Sequence, residues 1–363
     1  MLKARRLMRV LVFAAIGTIP ARASAHVKWF ANYNLSCRPR SPIELFQSEV
    51  FLLFLLFVTP IMFFVTFVDR TILRRRIADR AAMVGAPLSN GRWEQTIERW
   101  TPTALRLAVS AFFLTLFLMA PGGDQPLLIL TPELKTYTGW VRWIQLAIAA
   151  FALFESTAWI AALGLVVLFG KAVQQYGSFH MLDYPIFLGV AAYIFLWSVY
   201  GASQRVTADA VLRATTALSL MWGGIEKFVY PEWAMQVLDQ QPMLALGFEP
   251  HFFVTAAAFV EFCASFVLIT GQLASRVCAL LLIAIMSLGI AVFGMVDAIG
   301  HSVILVVLLL LALQSKNPIT YRFEPGGVPR AGIAYAGLFV VALIGLLCAY
   351  VGGHYIAYHL PAS

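Results

Sequence analysis

Residues 212–233 read LRATTALSLMWGGIEKFVYPEW, 259–276 read FVEFCASFVLITGQLASR, and 293–313 read FGMVDAIGHSVILVVLLLLAL. From Arg213 to Leu313 the chain makes four apolar runs parted by short polar joints. Runs of this length span a bilayer. Glu226, Lys227, Glu261, Asp297 and His301 stand inside or beside them. Ionisable groups at such depth are costly in lipid and face a bundle interior or a cavity.

The rest of the chain agrees. Of 363 residues, 61% are hydrophobic and 12% are charged, half the charge of a soluble domain. The expected class is an all-α polytopic membrane protein. The net charge of +8 does not indicate nucleic acid, because eight arginines from Arg70 to Arg106 flank spans, where basic residues mark the cytoplasmic side. No glycine-rich phosphate motif is present. Cys37, Cys263, Cys278 and Cys348 form no CxxC pair, which argues against thioredoxin-like and iron–sulfur chemistry.

Residues 1–25 read as a secretory signal, with Lys3, Arg5, Arg6 and Arg9, a short apolar core, and Ala23-Ser24-Ala25 for cleavage. Cleavage would expose His26, whose amine and imidazole suit copper. Residues 26–103 hold an outer aromatic segment, a span near 46–68 kinked at Pro60, and a basic cytoplasmic loop with an amphipathic piece around Trp93–Trp100. Residues 315–363 hold a cytoplasmic linker, a span near 332–351 and an outer tail.

Between them lie two sets of four spans, at 104–201 and 202–314. TALRLAVSAF around Arg106 resembles VLRATTALSL around Arg213, and Phe179-x-Met181-x-Asp183 resembles Phe293-x-Met295-x-Asp297. The 30-residue run Trp140–Phe169 divides into a hairpin turning near Ser156–Ala162, with Glu155 as the counterpart of Glu261. The count becomes ten spans, near 46–68, 104–120, 140–156, 160–176, 185–201, 208–229, 251–270, 276–294, 299–314 and 332–351. Arg205, Arg213, Arg276, Lys316, Arg322 and Arg330 then all fall inside, as the charge bias requires.

This topology sends all six histidines outward. His26, His180, His251, His354 and His359 are candidate ligands for copper or zinc. Asp297 and His301 are one helical turn apart. Such a pair can be a structural bond, a proton acceptor or part of a metal site. Lys227 is the candidate partner of Glu261. Glu226, Trp222, Tyr230, Glu155 and Asp183 are candidate cofactor contacts. Trp222, Phe228, Tyr230 and Trp233 read as an interfacial aromatic belt, and the residues after Tyr230 as an amphipathic connection. Gly223-Gly224 allows close helix approach.

An arginine at the first span (Arg213), a glycine before Lys227-Phe228, Pro231, Glu261, Arg276 and FGMVDAIGH make residues 208–314 resemble the DoxX-like family of bacterial membrane proteins. A weaker resemblance covers 104–201. The resemblance implies a bacterial inner-membrane protein, associated with quinone-linked redox systems and working with a redox partner. Glu261, Lys227, Asp297 and His301 would then line an outward-facing cavity. The alternatives are a metal-handling protein with a metal-handling partner and a structural scaffold. All three place the chain in a lipid bilayer, with both mature termini outside.

Overall fold

The computed structural model describes Lys28, Ala31, Tyr33, Asn34 and residues 37–82, 92–121, 125–314, 317–320 and 327–358. The signal, His26 and His359 lie outside these residues. Helices account for nearly all of the architecture. The order is α1 Pro42–Phe46, α2 Glu49–Ala82, α3 Arg92–Leu118, the two-residue strands β1 Leu127–Leu128 and β2 Lys135–Thr136, then α4 Trp140–Ala152 and α5 Ala158–Tyr176. There follow α6 Pro185–Tyr200, α7 Arg205–Val229, α8 Pro231–Gln240, α9 Pro250–Thr270, α10 Leu273–Phe293, α11 Met295–Leu313 and α12 Val328–Tyr358.

The protein is an all-α, multi-pass membrane protein. Among the described residues, eight continuous stretches are long and apolar enough to cross a bilayer. One of them, Pro185–Val229, contains both α6 and α7, parted by a single 3-10 turn at Gly201–Gln204. The apolar helix α4 has 13 residues, short of a full crossing. Each of the ten expected spans has a helix on it. The expected split of Trp140–Phe169 is present, but the break falls at Leu153–Thr157, slightly ahead of its expected place.

Three expectations on element bounds require correction. The amphipathic piece at Trp93 and the span after Pro102 form one helix, α3, with Pro102 inside it. The helix α2 continues past the expected end of its span to Ala82. The expected C-terminal tail is helical through Tyr358, because α12 packs along α2 and α7 and so keeps a buried face beyond the span.

Local chemistry explains the ends. Ser41 and Glu44 make a reciprocal capping box on α1, with Pro42 in its first turn. Glu249 caps α9 by accepting from the amides of His251 and Phe252, ahead of Pro250. The α10–α11 hairpin turns on Gly294 at φ 73°, in the left-handed region that favours glycine.

The packing closes two rings. In one, α3, α4, α5 and α6 contact one another in sequence and α6 returns to α3. In the other, α7, α9, α10 and α11 do the same. The rings meet through α6 against α7 and α3 against α11, the fourth helix of each on the first helix of the other. Outside them, α2 and α12 pack together and against the second ring.

One end of the bundle is tied by side chains on helix termini. Arg213 is fully buried; it donates to the carbonyl of Leu268 at 3.0 Å, to Ser275 Oγ at 3.2 Å and to Gln314 Oε1 at 3.0 Å. Arg106 does the parallel task in the first ring, donating to the carbonyl of Leu153 at 3.2 Å. Asp69 of α2 accepts from the amides of Gln272, Leu273 and Ala274 at 2.8–2.9 Å, which caps α10. Asn317 donates to the carbonyls of Leu268, Ile269 and Gly271. These contacts satisfy backbone groups that helix ends leave open.

Candidate functional site

Two groups of ionisable side chains diverge from neighbouring positions near the end of α7. Successive residues on a helix point about 100° apart. Glu226 therefore faces one neighbourhood and Lys227 another.

Lys227 Nζ lies 2.5 Å from Glu261 Oε2 and donates to the carbonyl of Gly223 at 3.3 Å. Helical side chains lean toward the N-terminus, so Lys227 folds back one turn to reach a carboxylate in the middle of α9. Gly224 makes the crossing of α7 and α9 close: a Cβ there would meet the carbonyl oxygen of Ala258 at 3.3 Å and Phe262 at 3.4 Å. Gly223 has more room, with Glu261 at 3.6 Å. The Lys227 and Glu261 side chains are 23% and 21% exposed. This pair is accessible within helices of membrane-spanning length.

Glu226 is buried. Its Oε1 lies 2.5 Å from Lys28 Nζ and accepts from the Tyr350 hydroxyl at 3.4 Å. The same ammonium lies 2.6 Å from Asp183 Oδ2. The rings of Tyr33 and Trp233 stand 5.9 Å from Lys28 Nζ. Burial alone would lower the Lys28 pKa, but the Asp183 and Glu226 carboxylates outweigh it and hold the ammonium well above its ordinary value.

A second buried group adjoins this one. His180 Nε2 lies 2.8 Å from Glu133 Oε1, and the Tyr184 hydroxyl donates to Glu133 Oε2 at 2.5 Å. The ring of His180 is stacked between Tyr33 and Tyr176. Burial works to raise the Glu133 pKa; His180, Lys28 and Tyr184 overcome it and bring it down to about 2. Burial and the Glu133 carboxylate push the Tyr33 phenol up. Further along, Tyr230 is stacked on Trp233 at 4.0 Å, its hydroxyl donates to the Cys37 carbonyl, and it lies 2.8 Å from His354 Nε2.

Asp297 and His301 make the expected one-turn pair on α11, with Oδ1 and Nδ1 3.1 Å apart and both residues buried.

Several expectations change. Glu155 is not the counterpart of Glu261. It lies in the turn after α4, 59% exposed and 3.6 Å from Arg106, at the end of the bundle away from Asp183 and Glu226. The sequence match paired two glutamates that the shortened hairpin places at different depths. Trp222, Phe228, Tyr230 and Trp233 are not an exposed belt, because all four are buried. Trp222 and Tyr230 pack against Tyr350 of α12, and Phe228 against Phe51 of α2. His251 stays exposed at the start of α9. Among the described residues, no group of three or more His, Cys, Asp and Glu is placed to hold a metal ion. His180 and His354 instead contact carboxylate and phenol. Lys28, Glu133 and Tyr350 join the site without having been singled out in the sequence. Lys28 and Glu133 lie in connecting segments with no periodic signal, and Tyr350 reads as one more aromatic in an apolar span.

Fold and site define a class: helical multi-pass membrane proteins with ionisable groups paired inside the bundle. Within it, the family model described as DoxX matches residues 208–295. The match runs from the body of α7 to the first residue of α11, so it includes Glu226, Lys227 and Glu261 and stops just before Asp297. Comparison with curated proteins finds no match, and neither does comparison with solved structures.

Proposed function

We propose that the protein is a redox-associated inner-membrane protein in which Lys227 and Glu261 receive the polar head of an apolar, quinone-like carrier. The observation that carries this reading is the accessible ion pair between α7 and α9, at a depth where an exposed charge is costly unless it serves a ligand or cavity. The donor set fits such a head group. Lys227 offers ammonium protons to a carbonyl oxygen, and Glu261 offers a carboxylate to a hydroxyl. A bound quinone would supply the electron chemistry. The chain's own part is to orient the head group and to accept or return a proton at Glu261 Oε2, beside the Lys227 ammonium. Electrons would come from a membrane partner.

The same reading takes 104–201 and 202–314 as two copies of one four-helix module. The two closed rings, their reciprocal contacts and the parallel roles of Arg106 and Arg213 support it. It places the Arg213 end in the cytoplasm, supported by the gathering of Arg205, Arg213 and Arg276 there, and Lys28 and both mature termini outside.

Equilibrium binding of a short-chain quinone to the purified protein tests the proposal. Lys227→Met and Glu261→Gln should each weaken binding at least about tenfold, the loss of one charge-assisted hydrogen bond. Binding that is equal in wild type and both variants would reject the site.

A further inference from the structure

We propose that Asp183, Glu226 and the rings around them form a recognition site for a primary ammonium group, and that Lys28 is its tethered occupant. The inference is independent of the Lys227–Glu261 reading.

Apart from Tyr33, which lies in the same segment as Lys28, the cage belongs to the helical scaffold. Asp183 is held in the turn His180–Asp183 before α6, Glu226 in α7, Trp233 in α8 and Tyr350 in α12. Its two carboxylates converge on one point, 2.6 and 2.5 Å from the nitrogen. Carboxylates so placed and buried repel each other unless a cation stands between them or one of them takes up a proton. Among the described residues, the bundle helices place no ammonium or guanidinium within ion-pair distance of either carboxylate. The cation comes from Lys28, which precedes α1 and lies outside the bundle helices.

The surroundings suit an alkylammonium in particular. Tyr33 and Trp233 present rings to the charge, as in sites that bind organic cations. A primary ammonium has three donors. Two are taken by Asp183 Oδ2 and Glu226 Oε1. Asp183 Oδ1, although buried, accepts no hydrogen bond, so the carboxylate has capacity that Lys28 leaves unused. A free amine entering without a tether could align on both oxygens. The N-terminal segment is held nearby by the Arg40 amide on the Val229 carbonyl and by the Tyr230 hydroxyl on the Cys37 carbonyl, which keeps Lys28 at high effective concentration. Occupation of the cage and docking of the segment are thereby linked.

The experiment is chemical rescue of Lys28→Ala in the full chain, purified in detergent. Thermal unfolding is followed against n-butylammonium, with choline and sodium at equal ionic strength as controls. The variant should unfold several degrees below wild type. Butylammonium should raise its midpoint in a saturable way while leaving wild type unmoved, since ligand that binds only the folded state stabilises it. Choline and sodium should not, and adding Asp183→Asn should abolish the response. The proposal is overturned if Lys28→Ala matches wild type, if butylammonium gives no shift, or if choline gives the same one. Should Lys28→Ala fail to purify alone, it is purified with butylammonium throughout. Monodisperse protein with butylammonium but not with choline supports the site; failure with both overturns it.

Discussion

At the scale of the residue, the partners of a buried charge set what its substitution costs. Glu133 shows the sign most plainly. Its pKa falls from 4.5 to about 2 on folding, so its contribution is complete above the unfolded value and is lost as pH drops through the folded one. The thermal midpoint of wild type should therefore fall as pH goes from 4.5 toward 2, and Glu133→Gln should flatten that dependence. An unchanged slope in the variant would show that other carboxylates carry the acid response. Lys28 has the opposite sign. Its raised pKa means stability present below the ordinary lysine value of 10.5 and lost only at more alkaline pH. Most of these groups were visible in the sequence as oddities. Glu226, Lys227, Glu261, Asp297 and His301 stand out in apolar runs because charge is rare there. Their partners were less legible. Asp297–His301 and Lys227–Glu261 follow from one helix turn and from two adjacent spans. Lys28–Asp183–Glu226 joins residues 155 and more positions apart, and nothing local announces it.

At the scale of the element, helix ends explain why polar residues collect where they do. Asp69 is one residue of α2, yet it satisfies three amides at the start of α10. Replacing it with alanine should destabilise the protein by about 1–2 kcal/mol, the cost of a lost N-cap. Amide hydrogen exchange should rise at residues 272–276 first; exchange confined to α2 would contradict the cap. Arg213 and Arg106 permit a paired comparison. Arg213 spans α7, α9, α10 and Gln314, and replacing it with methionine removes three hydrogen bonds and leaves Gln314 Oε1 without this donor, at about 1.5–3 kcal/mol for a charge-assisted bond. Arg106 makes longer contacts and its ion partner Glu155 is exposed. Arg106→Met should therefore cost less than Arg213→Met in denaturant or thermal unfolding. Equal costs would remove the distinction between the two rings. The bounds of the short helix α4 were nearly legible because the charge bias demanded a turn within Trp140–Phe169. The hairpin of β1 and β2 was not, being two residues per strand in an irregular linker.

At the scale of the whole molecule, two four-helix rings are locked by α6 on α7 and α3 on α11, and α2 and α12 close over the second ring. The proposed orientation is testable on this scale. Cys37 is exposed near the Glu226 end, and Glu155 is exposed at the other. A membrane-impermeant thiol reagent should label Cys37 from the outer face of sealed vesicles. In a Cys37→Ser background, Glu155→Cys should be labelled only from the inner face. Labelling of both from one face would overturn the orientation.

The class of fold and nearly every span were set by the length and hydropathy of the runs, which act locally and leave a plain trace in sequence. The pairing of Lys227 with Glu261 followed from the same register, since neighbouring antiparallel spans meet side by side. Which rings are buried, and that Lys28 reaches Asp183 and Glu226, depend on α12 and on the segment before α1 packing against helices remote in the chain. Hydropathy has no preference among such partners; shape and charge complementarity choose them only once the helices have assembled.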